Sequence, residues 1–220
     1  FNRSDALTYG GVISGSGSLN QAGNDVLTLT GDNTFTGATT ISAGTLQIGN
    51  GGTSGSVVGD IINNSALSFN RSDALTYGGV ISGSGSLVKA GNDVLTLTGN
   101  NTFTGDTTIS AGTLQIGNGG TTGAIAGNII NNSVLSFNRS GILAYDGVIS
   151  GSGSLVKTGN SMLILTGDNT FTGDTTISAG TLVVGNNTTG SVAGNIINNS
   201  ALMFNRSDAL TYGGVISGSG

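Results

Sequence analysis

"SLVKAGNDVLTLTGNNTFTGDTTISAGTLQIGNG" runs from Ser86 to Gly119, and its apolar residues come in short bursts of strict alternation. Leu95 and Leu97 flank Thr96, and Leu114 and Ile116 flank Gln115. Period-two alternation puts one set of side chains on one face of an extended chain, so each burst reads as a strand of about three to five residues. Glycine and asparagine fill the gaps because tight corners need positive φ. Helix is disfavoured: no 3.6-residue stripe persists, Glu is absent, and Ala, Lys and Leu are sparse.

The same stretch occurs three times. "FNRS" begins at Phe1, Phe69, Phe137 and Phe204, which sets repeat units at 1–68, 69–136 and 137–203 and a partial one at 204–220. Units 1 and 2 agree at 58 of 68 positions, so whatever one unit builds the next builds again. Unit 3 is one residue shorter, and the loss falls among Gly, Asn and Thr of "GNNTTGSVAG", where a turn absorbs it. The repeat divides into three segments, 66–85, 86–112 and 113–133 in one copy, each opening with a small residue followed by Leu, as in "ALSF", "SLVK" and "TLQI".

Segments of that length, each with three short strands, fit the coils of an all-β parallel β-helix. A single coil cannot bury its apolar face, and a neighbour of the same sequence covers it. Three coils per unit predict about ten rungs, a stack of about 45 Å at 4.8 Å per rung, and equivalent side chains on every third rung. Inward Leu, Ile and Phe are expected to form apolar columns and outward Thr and Asn polar ones. The whole of 1–220 is then one β-helix segment.

Composition removes most chemistry. With no His, Cys, Pro or Trp, and with every acid an Asp, neither a Ser-His-Asp arrangement nor a Cys or His zinc site can be assembled. A net charge of −5 with six Lys and Arg argues against nucleic acid as a partner. No apolar run is long enough for a transmembrane helix.

"GSGSLVKTGNSMLILTGDNTFTGDTTISAGTL", Gly151 to Leu182, resembles the passenger-associated transport repeat, also called the autotransporter-associated β-strand repeat, of Gram-negative autotransporters. The likeness lies in the Gly-rich lead, Leu155, Lys157, the "LILTG" strand, Asn169, Phe171, Gly173, Thr176 and the closing "GTL". The first copy departs from it with "SLNQAG", which makes Lys89 and Lys157 dispensable. The resemblance implies a right-handed parallel β-helix, extracellular at the bacterial cell surface or secreted. It also implies type V secretion through an outer-membrane β-barrel translocator outside this segment, and repeats that assist secretion and folding. The chain thus reads as a segment of a longer protein.

Candidate sites each have a plain structural reading beside them. Asp168 and Asp174 could pair around calcium, but their counterparts are Asp32 with Ala38 and Asn100 with Asp106, so each carboxylate is lost in another copy. Arg3 with Asp5 could be a receptor contact or a surface ion pair, and unit 3 has Gly141 in place of the acid. Tyr9, Tyr77, Tyr145 and Tyr212 could line a sugar-binding stripe or cap the core. "NRS" matches the N-glycosylation sequon at Asn2, Asn70, Asn138 and Asn205. No catalytic residue, cofactor or metal site is expected. The expected function is a non-enzymatic rigid stalk or adhesion surface with an unknown receptor or homotypic self-association. The alternatives are a subunit of an extracellular filament or matrix and, less favoured, a polysaccharide-active β-helix enzyme.

Overall fold

A computed structural model describes residues 1–187 and 189–220 in full and residue 188 by its backbone alone. Its described residues form 24 strands and no helix, and every strand pairing is parallel. This is a parallel β-solenoid, and the alternating Leu and Ile face inward as their spacing dictates. Leu27, Leu46, Leu67 and Leu87 lie in register down one side. Leu75, Leu95, Leu114, Leu135 and Leu155 lie down a second. A third holds Leu19, Thr39, Ile61 and Ile81, and further along Leu143, Leu163, Leu182 and Leu202.

Register partners such as Leu27 with Leu46 and Thr107 with Ile129 lie about 20 residues apart throughout the stack. That corrects the division at 66, 86 and 113, whose middle segment is too long for one turn. The segment 86–112 carries one side more than the others, because Phe103 in "NNTFTGD" is fully buried and its neighbour Thr102 donates its N–H to the Ile81 carbonyl at 2.9 Å. Unit 1 therefore contributes ten lining positions: seven strands, from Leu7–Tyr9 to Ala66–Phe69, plus Ile13, Phe35 and Val57 outside them.

Ten positions on three sides make three and one-third turns. Each unit consequently starts one side further round than its predecessor. The equivalent strands Val26–Leu29, Val94–Leu97 and Met162–Leu165 lie in three different sheets. Equivalent side chains do not return every third rung; they step round the axis by about 120° and return to the first side after three units. The rise per unit is then about 16 Å.

Glycine permits the closest approaches between coils. A Cβ on Gly99 would lie 2.3 Å from the Gly79 carbonyl oxygen, so only hydrogen fits there. Gly112 turns the "SAGT" corner at φ 64°, with the Asp93 carbonyl in the place a Cβ would take.

The outward column expected for threonine and asparagine is only partly there. Thr39, Thr107 and Thr175 point inward, are fully buried and leave their hydroxyls without a hydrogen-bond partner. Thr96 does face outward, yet it is only 7 % exposed between Thr76 and Gln115 of the adjoining coils.

Candidate functional site

Backbone pairing between coils leaves donors and acceptors at the corners, and the polar residues of the repeat go there. Asn101 is buried, and its Nδ2 donates to the carbonyls of Gly99 at 3.0 Å and Ala124 at 2.9 Å. Its Oδ1 accepts the Ile81 N–H at 2.9 Å. One side chain thus ties its own coil to the coils before and after it. Asn33 and Asn169 make the same three bonds in units 1 and 3. A second buried set, Asn63 and Asn131, donates forward to the carbonyls of Ser86 and Ser154 at 2.8 Å.

Lys89 and Lys157 are also buried, and among the described residues neither ammonium forms an ion pair. Lys89 Nζ donates to the carbonyls of Gly91 and Ala111, and Lys157 Nζ to those of Gly159 and Ala179. Gln21 fills that position in unit 1, donating to the carbonyls of Gly23 and Asp25 at 3.0 Å. The neutral amide keeps the first of those bonds and takes its second from its own corner instead of the next coil, so the position is a corner clasp that needs no charge.

Burial pushes both lysines below the usual ammonium range. It pushes Tyr77 and Tyr145 well above the usual phenol range. The two shifts act oppositely on stability. Between the depressed native value and about 10.4 the unfolded chain holds the more lysine protons, so stability rises with pH there. Above about pH 10 the unfolded tyrosines ionise first, and stability falls. Thermal unfolding from pH 8 to 11 is expected to show the fall above pH 10 in the native chain. It should lose only the preceding rise in the Lys89→Gln, Lys157→Gln double variant.

Arginine of "FNRS" clamps the loop of the previous coil. Arg71 donates from Nη1 to the Gly55 carbonyl at 2.7 Å and from Nη2 to the Thr53 carbonyl at 2.5 Å, and it also pairs with Asp73. Arg139 holds the carbonyls of Gly123 and Thr121, but with Gly141 where Asp73 stands its Nε is left unpartnered. Among the described residues Arg3 pairs only with Asp5, exposed, at 2.6 Å.

Three stretches match the family model for the passenger-associated-transport-repeat: residues 19–48, 87–116 and 155–184. Each runs from the strand carrying the Gln or Lys clasp, past the buried Asn and Phe, to the end of the "TLQI"-type strand. The chain carries three copies of this repeat. A similar curated protein is the Adhesin BmaC autotransporter of Brucella suis biovar 1 (strain 1330), 39% identical over 198 residues, which cover 80% of this chain and 6% of that one. The chain therefore spans a small fraction of its relative's length. These likenesses make it an extracellular passenger segment at the bacterial cell surface. No solved structure matches it.

In a passenger repeat of this geometry the remaining candidates separate. Asp168 Oδ1 accepts the Gly190 N–H at 3.1 Å, while Asp174 Oδ1 accepts Asn195 Nδ2 at 3.3 Å. In the second copy Asn100 takes the Gly123 N–H at 3.1 Å just as Asp168 takes that of Gly190, so the position uses an oxygen and no charge. Among the described residues, no three acidic side chains come together as a metal site requires. The tyrosines form no stripe, because Tyr77 and Tyr145 are buried on different sides of the stack. Their hydroxyls donate to the carbonyls of Gly59 and Gly127 at 2.6 Å, sealing the inner end of each ring.

The buried asparagines are the residues that polarity alone conceals. Their signal is spacing: Asn33, Asn101 and Asn169 each stand two residues before an inward Phe, and period two puts both on the same face.

Proposed function

We propose that this segment is a non-enzymatic rigid spacer and adhesion surface in an autotransporter passenger, with repeats that also help the chain fold as it leaves the cell. One observation carries the reading: the polar residues common to the repeats are spent on bonds from one coil to the next. Asn, Lys, Arg and Tyr each reach backbone of a neighbouring turn and Gln21 that of its own corner, which leaves, among the described residues, no shared cluster of free acids and bases to do chemistry. Because coils pair with their immediate neighbours, each new coil can be added to a finished edge, which suits folding from an emerging end. The relative's name, an autotransporter adhesin, supports adhesion and a β-barrel translocator elsewhere in the parent protein.

Deleting residues 69–136 from the parent protein tests it. Solenoid stability is approximately a sum over units and their interfaces, so the remainder should stay secreted and folded and be shorter by about 16 Å. Adhesion should change only through lost reach and through the one-third-turn rotation of everything beyond the junction. Loss of a specific activity from a deletion protein that is still secreted and folded would show that the repeats hold a discrete site.

A further inference from the structure

Each copy of "FNRS" places an arginine at an equivalent corner, and three of the four arginines close the same ring. Arg3, Arg71 and Arg206 each present the Nε and Nη2 hydrogens of one edge to the two oxygens of the aspartate two residues on, Asp5, Asp73 and Asp208, at 2.6–3.1 Å. Unit 3 has Gly141 in that place, and the Nε of Arg139 is buried without a hydrogen-bond partner. Two further carboxylates are lost from the same corner. Asp32, 3.5 Å from Arg71 Nη1, has Asn100 as its counterpart before Arg139, and Asp93, which partly offsets the burial of Lys89, has Ser161. In unit 2, Arg71, Asp73, Lys89 and Asp93 line one small cavity, so two cations there meet two acids. Unit 3 keeps both cations, Arg139 and Lys157, and among the described residues neither forms an ion pair. Its acids Asp168 and Asp174 are bonded to Gly190 and Asn195 instead.

We propose that the Nε and Nη2 edge of Arg139 binds a small carboxylate anion from outside the chain, which takes the place Asp73 fills in unit 2. The ligand class follows from the fork. Two parallel N–H donors at fixed spacing match the two oxygens of a carboxylate, and such charge-assisted bonds are roughly twice as strong as neutral ones. The backbone clamp does not consume this edge: Arg71 holds the carbonyls of Gly55 and Thr53 while it pairs with Asp73, and Arg139 holds the equivalent carbonyls of Gly123 and Thr121. Space beside the fork is there as well. A Cβ on Gly141 would lie 3.4 Å from Arg139 Nη2 and 3.4 Å from the Thr121 carbonyl oxygen, an ordinary contact. Ser140, Ile142 and Thr121 are exposed, so a solute reaches the corner. Burial pushes the Arg139 guanidinium below its usual range, and a partly desolvated cation without a counter-charge gains more from an anion than one in open water. The site goes beyond the spacer and adhesion reading and stands or falls separately from it.

Nuclear magnetic resonance of the arginine Nε–H groups tests the proposal, with sodium acetate replacing sodium chloride at constant ionic strength on the isotope-labelled 220-residue chain. The signal that is lost in Arg139→Lys should shift saturably with acetate, while those of Arg3, Arg71 and Arg206 stay still. Gly141→Asp supplies the carboxylate from the chain itself, as the other three copies do. It should remain folded by circular dichroism and weaken the acetate response about tenfold or more. Conversely, the triple variant Asp32→Asn, Asp73→Gly, Asp93→Ser should make the Arg71 signal respond to acetate as that of Arg139 does. No saturable shift at Arg139, as a corner indifferent between acetate and chloride would give, a response that survives Gly141→Asp, or an Arg71 signal that stays still in the triple variant would each overturn the proposal.

Discussion

Leu95→Asp is expected to unfold the coils around it, at a cost above about 4 kcal/mol in chemical denaturation. Leu95 is 1 % exposed and lies in register between Leu75 and Leu114, so the carboxylate would enter a column of aliphatic side chains, and the cations that line the small cavity beside it, Lys89 and Arg71, are already committed to backbone carbonyls. The stack cannot repack round it, because backbone pairing fixes the rung above and the rung below. Thr96→Asp, one residue on, places the charge on the outer surface. Thr96 is itself largely covered, so a smaller cost of about 1 kcal/mol is expected there. Equal losses from the two variants would mean that the inward and outward faces are exchanged.

Asn101→Ala should be nearly as damaging. It removes three hydrogen bonds at once and leaves the buried Ile81 N–H without its acceptor, at about 1–3 kcal/mol for that group, while the Gly99 carbonyl keeps the Ala124 N–H at 3.1 Å. A loss of about 3 kcal/mol is predicted from urea unfolding, with the exposed Asn92→Ala as a control close to zero. Substituting Asp should not rescue it, because Asp cannot donate to the two carbonyls. If Asn101→Ala cost no more than Asn92→Ala, the buried asparagines would not be what holds successive coils together.

Much of this architecture is legible in the sequence alone. Alternation at Leu95, Thr96 and Leu97 depends only on the period of an extended chain, and a 68-residue unit repeated three times leaves a stack of coils as the economical way to bury it. Where one coil ends and the next begins is not legible. "NNTFTGD" reads as a polar loop, yet Phe103 fills a whole side of the core there with no strand of its own, and that added side turns three coils into three and one-third. Direction is the other loss. A polar side chain in a strand looks outward by default, whereas Asn101 and Lys89 point in, drawn by backbone groups of neighbouring turns that are distant in sequence. The pairing of corner carbonyls with Lys89, Lys157 and Gln21 becomes visible only when Ala111 and Gly91 are seen together.

The central claim is that ten lining positions per unit rotate each copy by a third of a turn, and spin-label distances test it directly. Asn24, Asn92 and Asn160 are equivalent, exposed corner residues, and a chain without cysteine accepts labels at any pair of them once they are changed to Cys. A coil side of about six or seven residues is about 20 Å long, so one corner of rotation combined with a rise of about 16 Å separates Asn24 from Asn92 by about 26 Å. The pair Asn92 and Asn160 should give the same distance. A stack with three whole turns per unit would instead place each pair on one edge, about 14 Å apart. Distances of about 26 Å for both pairs are predicted, and distances of about 14 Å would contradict the account.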